Sequence, residues 1–77
     1  MISLQEAMSI VHEHCDGDIL DGSYDTIIPP SSKTPISWEF SVYHRDYDGN
    51  VFKTIIEIDR NGTVLHWYKN LVSDGFD

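Results

Sequence analysis

The chain has 77 residues, which is enough for one small domain but not for two. Five Lys and Arg residues against 13 Asp and Glu residues give a formal net charge of −8. Direct binding to nucleic acid or to an anionic membrane needs clustered cations, so this composition argues against both. Apolar residues make up 40% of the sequence, which excludes a wholly disordered chain.

The sequence predicts a protein of the cytoplasm. Its start lacks the basic and apolar pattern of a secretory signal, and no run approaches the roughly 20 apolar residues of a membrane span. Cys15 is the only cysteine, so no disulfide can form within the chain. A small domain without disulfides fits a reducing compartment.

The first predicted element is a helix. Ser3 and Glu6 form a capping-box pattern, in which each side chain can bond the backbone N–H of the other residue. Apolar residues then recur at helical spacing: Leu4, Ala7, Met8, Val11 and Cys15. Asp16-Gly17 supplies a stop signal. The pattern predicts one amphipathic helix from about Leu4 to Cys15.

Strands follow the helix. A short, irregular strand is predicted near Ser23–Ile28, and residues 29–35 form a proline-rich loop. Apolar and polar residues then alternate in three strands, which we predict at Ile36–Tyr43, Val51–Asp59 and Thr63–Lys69. An Asp-Gly turn separates the first two, and an Asn-Gly turn of type I′ separates the last two. Residues 70–77 show no periodicity and are predicted to be an irregular tail.

The predicted fold is α+β, with the N-terminal helix packed on an antiparallel meander sheet of three to four strands. Residues 1–77 form this single domain. The residues predicted to form its core are Leu4, Met8, Val11, Trp38, Phe40, Phe52, Ile56 and Ile58.

Three segments resemble PepSY-type domains: Ser3–Met8 at the helix start, Trp38–Tyr43 in a strand, and Ile55–Leu65 in the closing hairpin. In that hairpin, as in the family, a strand ends in Asp59, turns through Gly62 and resumes. The resemblance spans about residues 2–68. It implies a protein that binds and inhibits: secreted members act as protease propeptides and inhibitors, and a related cytosolic group includes small immunity proteins that neutralise bacterial toxins. It implies no catalytic residues.

A group of possible metal ligands lies near the helix end. His12 and Cys15 are three residues apart and could share a metal, with His44 or His66 as a further ligand. The alternative assigns Cys15 to the core and leaves His12 and His14 at the surface, where the helix C-terminus favours a protonated imidazole. The acidic runs 16–25 and 46–50 lack the order of a calcium loop. We therefore predict no metal site and no cofactor.

Catalysis is not predicted. Glu39, Glu57 and His66 fall on adjacent strands, where carboxylates and an imidazole could carry out acid–base chemistry. A chain of this size has little room for an enclosed cleft, and no phosphate-binding or nucleophile motif is present.

The residues predicted to bind a partner are Asp18, Asp21 and Asp25 for steering, and Tyr43, Trp67 and Tyr68 for anchoring. The partner would be a basic protein, either a toxin or a nucleic-acid-binding enzyme, or the aromatic face would serve a homodimer. Simple cross-strand pairing of the aromatic residues is the alternative.

Three functions follow from this pattern. The first is a small acidic cytosolic protein that neutralises or inhibits a protein partner. The second is a phage- or plasmid-encoded protein that mimics nucleic acid to block a host defence enzyme, and the third is an accessory subunit of an enzyme. Mimicry requires rows of acids spaced like phosphates across the surface, whereas blocking a toxin requires one local patch.

Overall fold

The computed structural model describes residues 1–31 and 36–73. It has one helix, α1 (Leu4–Glu13), and four strands: β1 (Asp18–Ile27), β2 (Ser37–Arg45), β3 (Val51–Asp59) and β4 (Val64–Ser73). The strands form one antiparallel sheet in the order β1-β2-β3-β4, which confirms the predicted α+β fold. Within the described residues, no helix is long and apolar enough to cross a membrane.

Helix α1 begins as the capping box predicts. The Ser3 hydroxyl oxygen accepts a hydrogen bond from the Glu6 N–H at 3.1 Å, and the Glu6 carboxylate accepts one from the Ser3 N–H at 3.4 Å. The helix ends at Glu13 rather than Cys15, with His14 as its C-cap. Its buried residues are Ala7 and Val11, which face the sheet.

The core lies between α1 and one face of the sheet, here called the helix face. Val11, Phe40, Ile56 and Ile58 are buried as predicted. Three further predicted residues, Leu4, Trp38 and Phe52, are only partly buried. The prediction was wrong for Met8, which is 40% exposed. The small Ala7 takes its place, because α1 is rotated so that Met8 borders a groove at the side of the helix.

The two hairpin turns share one geometry. In each, an aspartate (Asp46 or Asp59) accepts on its backbone carbonyl from the N–H of the glycine three residues later (Gly49 or Gly62). The aspartate carboxylate also accepts from the N–H groups two and four residues later. Both glycines have positive φ, 87° and 90°, whereas Asn61 does not. The prediction of a type I′ turn was therefore wrong for the second turn. It is a type I turn followed by a left-handed glycine.

The outer strands are longer than predicted. β1 begins at Asp18, well before Ser23, because its polar residues still pair with β2 as far as Arg45. β4 continues to Ser73, so that part of the predicted irregular tail is strand that pairs with β3 as far as Val51. Of the predicted loop and tail, residues 32–35 and 74–77 lie outside the described residues.

Candidate functional site

The face of the sheet opposite α1, here called the open face, carries a row of acidic side chains. Asp25 on β1 lies opposite Glu39 on β2, Glu39 lies opposite Glu57 on β3, and Glu57 lies opposite His66 on β4. Neighbouring strands are about 4.8 Å apart, so three carboxylates follow one another across the sheet at close spacing. The row ends in the imidazole of His66.

Few neighbouring groups compensate the charge of this row. The Glu57 carboxylate accepts a hydrogen bond from the Ser37 hydroxyl at 2.7 Å, and its other oxygen lies 3.9 Å from Nε2 of His66. Among residues 1–31 and 36–73, Asp25 and Glu39 have no ion pair. Like charges directly opposite each other destabilise a sheet. The row therefore costs stability.

The remaining predicted acids extend the row along the edge strand. Asp21 lies opposite Tyr43 and Asp18 lies opposite Arg45, which places both aspartates on the open face with Asp25. The Asp21 carboxylate accepts a hydrogen bond from the Gly22 N–H at 2.8 Å. The three predicted steering residues thus lie along one side of β1, all exposed.

The predicted aromatic anchors do not share one face. Tyr43 and Tyr68 lie on the open face, Tyr43 with the Lys53 ammonium 5.7 Å from its ring and Tyr68 stacked on His66. Trp67 lies on the helix face, where its ring meets that of His14 at a centroid distance of 5.4 Å. Side chains alternate between faces along a strand, so the adjacent Trp67 and Tyr68 cannot anchor one surface. The structure therefore separates Trp67 from the other predicted binding residues.

A groove of about 310 Å³ runs between α1 and β1 on the helix face. Met8, Ile19, Tyr24 and Phe40 contribute to its lining. The groove exists because α1 covers the middle of the sheet and leaves the helix face of β1 exposed. Sequence reasoning missed it because the first half of β1 was not predicted to be strand.

A buried polar cluster lies beneath the end of α1. His44 is fully buried, with Nδ1 2.8 Å from the Asp16 carbonyl oxygen and Nε2 2.6 Å from the Thr54 hydroxyl. A carbonyl can only accept, so Nδ1 carries a proton and donates it, which leaves Nε2 to accept from Thr54 when the ring is neutral. Both polar side chains are satisfied without water.

Cys15 lies beside this cluster, in the core. Burial raises the pKa of its thiol, and the nearby Asp16 raises it further, while an interaction with the Thr54 hydroxyl and the charge of Lys69 oppose the change. The thiol stays protonated near neutral pH, which makes it a poor nucleophile and a poor metal ligand.

The residues considered as possible metal ligands are dispersed. His12 is exposed at the groove, His14 packs on Trp67, and His66 is on the open face. Nδ1 of His14 is also 2.8 Å from the Ile10 carbonyl oxygen. In the part of the chain that the structure describes, no three His, Cys, Asp or Glu side chains are placed to hold a metal ion.

Comparisons of this chain with models of protein families, with curated proteins and with solved structures gave no match. The resemblance to PepSY-type domains therefore stays a prediction from the sequence.

Proposed function

We propose that this protein is a small acidic cytosolic binding protein that neutralises or inhibits a basic protein partner, and that the open face binds that partner. The observation that carries the proposal is the row of Asp25, Glu39 and Glu57. Three carboxylates on adjacent strands repel one another in the unbound protein. A cationic surface placed against them removes that repulsion and gains from the electrostatic attraction.

Aromatic and acidic groups on the open face have different roles in binding. Tyr43 and Tyr68 are aromatic side chains of the kind that anchor interfaces, and both lie on the same side of the acidic row, Tyr68 two residues from His66 and Tyr43 opposite Lys53. The aspartates of β1 lie at the rim, where charges mainly speed association. The predicted resemblance to small immunity proteins points to the same class of function.

The distribution of charge favours a blocking protein over a mimic of nucleic acid. Cations interrupt the acids of the open face: Arg45 lies opposite Asp18, and Lys53 lies opposite Tyr43. A mimic requires acids that repeat across the surface like phosphates, whereas one basic patch on a partner needs only the local row. The row thus supports the first function more than the second.

The site offers less to an enzyme or an accessory subunit. Glu39, Glu57 and His66 do share one row, as acid–base chemistry would require, but that row lies on an open sheet face. The groove between α1 and β1 lies on the opposite face and is largely apolar. Binding without catalysis is therefore part of the proposal.

Capture of the partner from a lysate of the source cell, followed by surface-binding kinetics, tests the proposal. The variant Asp25→Asn/Glu39→Gln should associate more slowly, and its association rate should depend less on salt. The control Glu13→Gln/Asp48→Asn removes the same charge from the helix end and a turn, and should associate faster than the row variant. Equal kinetics for the two variants would contradict a role for the row.

Tyr43→Ala tests the anchoring role and should speed dissociation, with a loss of about 2 kcal/mol or more for a central anchor. Tyr47→Ala is its control, since Tyr47 lies in a turn and is 94% exposed. If no partner is recovered at any ionic strength, or if both tyrosine variants bind as the wild type does, the open face is not the interface.

A further inference from the structure

The two edges of the described sheet differ in their protection against pairing with another strand. β1 carries Asp18, Asp21 and Asp25, together with a bulge between Ile19 and Asp21. Charges and bulges are the features by which edge strands resist such pairing. β4 (Val64–Ser73) contains no Asp, Glu, Pro or Gly, although the chain has 13 acidic residues. Its pairing with β3 shifts register near each end, and between these shifts Lys69 is its one charged residue. Acids thus line β1, whereas the regular middle of β4 carries a single lysine.

β4 also exposes many large apolar side chains. Leu65, Trp67, Tyr68, Leu71 and Val72 are each between 44% and 59% exposed. Isolated exposed apolar residues are ordinary, but five on one edge strand mark a surface for another chain. Because these residues point to both faces of the sheet, a helix docked on one face would cover only some of them. A strand added at the edge contacts both sets.

The order of polar and apolar residues in β4 is nearly the same in both directions along the strand. Val64-Leu65 at its start matches Leu71-Val72 at its end, and Tyr68 is the midpoint. Two copies paired antiparallel about Tyr68 would oppose His66 to Asn70 and Trp67 to Lys69 in the regular middle of β4. The apolar residues match beyond it, Leu65 with Leu71 and Val64 with Val72, where the pairing of β4 with β3 shifts register. A two-fold symmetric interface requires this kind of self-complementarity.

We propose that the protein forms a homodimer in which β4 pairs with β4 of a second copy, giving one continuous sheet of eight strands. The inference rests on the sheet edge and shares Tyr68 with the proposed binding surface, whereas the acidic row and Tyr43 take no part in it. Two chains of charge −8 repel, and this pairing brings together the strand that lacks acids while the aspartates of β1 lie at the far edges.

Side-chain charge selects the register. Directly opposed residues of an antiparallel pair share a face, so Lys69 of one copy lies opposite Trp67 of the other on the helix face. The Lys69 ammonium is 3.1 Å from the Asp16 carboxylate of its own chain, so its apolar stem is the part that faces the indole ring. A shift that centred the pair on Lys69 would oppose two lysines, which is unfavourable. Pairing centred on Tyr68 also places the two tyrosines side by side on the open face.

Sedimentation equilibrium of the wild-type chain tests the proposal and should give twice the chain mass of 8.8 kDa. Tyr68→Glu and Tyr68→Lys each oppose like charges at the two-fold axis, so each variant alone should be monomeric. An equimolar mixture of the two should recover a dimer, because Glu then opposes Lys. A general loss of folding would not be reversed by mixing.

Leu20→Glu is the matched control, because it adds the same charge to the other edge strand at a side chain that is 47% exposed. It should remain dimeric. Circular dichroism checks the fold of every variant, and Val72→Lys replaces any Tyr68 variant that fails to fold, with the same expectation of a monomer.

Three results would overturn the proposal. The first is a wild-type chain that stays monomeric up to its solubility limit. The second is dissociation by Leu20→Glu together with a dimeric Tyr68→Glu, which would move the contact to β1. The third is a mixture of the two Tyr68 variants that remains monomeric, which would exclude pairing about Tyr68.

Discussion

The same strands form both faces of the sheet, but they present different kinds of side chain on each face. On the helix face, β2 and β3 present Phe40, Ile56 and Ile58, together with the polar pair His44 and Thr54 that satisfy each other. On the open face, the alternate residues of the same strands place Glu39 against Glu57. On one face the buried polar groups pair with each other, and on the other face like charges lie on directly opposed residues.

This difference separates stability from interaction. Every buried side-chain polar atom in the described residues has a hydrogen-bond partner, so the helix face can be assigned to folding. The acids of the open face lower the free energy of unfolding, and a sequence selected only for stability would not keep them opposite each other. Substitutions at matched positions on the two faces test this division directly.

The largest effect is expected from truncation of the core. Ile56→Ala removes a fully buried side chain and should lower the free energy of unfolding by about 2–5 kcal/mol. The adjacent Ile55 points to the open face and is only partly buried, so Ile55→Ala should cost clearly less. Urea denaturation of both variants gives the two values. Equal losses would show that the two faces contribute equally to the core.

A smaller loss is expected from the buried polar cluster. Thr54→Val keeps the shape of the side chain but leaves Nε2 of His44 without its hydrogen bond, which should cost about 1–3 kcal/mol. Thr26→Val makes the same chemical change on the exposed edge strand β1 and should alter stability by less than about 0.5 kcal/mol. If Thr54→Val left the free energy of unfolding unchanged, His44 would not depend on the Thr54 hydroxyl.

Regular alternation made the centre of the fold predictable. β3 has the predicted bounds, Val51–Asp59, because its alternation is uninterrupted and defined turns flank it. The capping box likewise identified the start of α1. Local patterns of this kind are decided by neighbouring residues alone, so they can be read without knowledge of tertiary contacts.

The features that depend on tertiary packing were missed. The apolar stripe of α1 includes both Ala7 and Met8, and only the lateral position of the helix on the sheet decides which of them is buried. His44 continues the inward alternation of β2, but its polarity gave no sign that Thr54 and the Asp16 carbonyl would satisfy it. Glu39, Glu57 and His66 were placed on adjacent strands, but their direct opposition and the addition of Asp25 were missed, because both need the register of three strand pairs.

On the open face, removal of a charge should stabilise the protein. Glu39→Gln removes the carboxylate between Asp25 and Glu57 and should raise the free energy of unfolding by about 0.2–1 kcal/mol at low salt. The gain should shrink as salt is added, because screening already weakens the repulsion in the wild type. Asp48→Asn, in a turn, is the control for net charge and should gain less. A destabilised Glu39→Gln would contradict the repulsion.

The smallest effect on stability concerns Cys15, and it appears only at alkaline pH. Burial, followed by the charge of Asp16, raises the pKa of the thiol above its ordinary value of 9.0 in the folded protein. The unfolded chain therefore loses the thiol proton at a lower pH than the folded chain. The contribution of the protonated thiol is fully present below about pH 9 and is lost as pH rises through the folded pKa.

Cys15→Ala lacks this titration, so the difference in unfolding free energy between the wild type and this variant should narrow as pH rises from about 8 to about 10. Parallel urea denaturation series across that range measure the difference, and subtraction cancels the alkaline titration of Tyr and Lys residues that the two chains share. At about pH 8 the wild type should be more stable than Cys15→Ala, because the variant leaves a cavity under the end of α1. A difference that stayed constant with pH would mean that the folded and unfolded thiols share one pKa, and Cys15 would then have to be open to water in the folded protein.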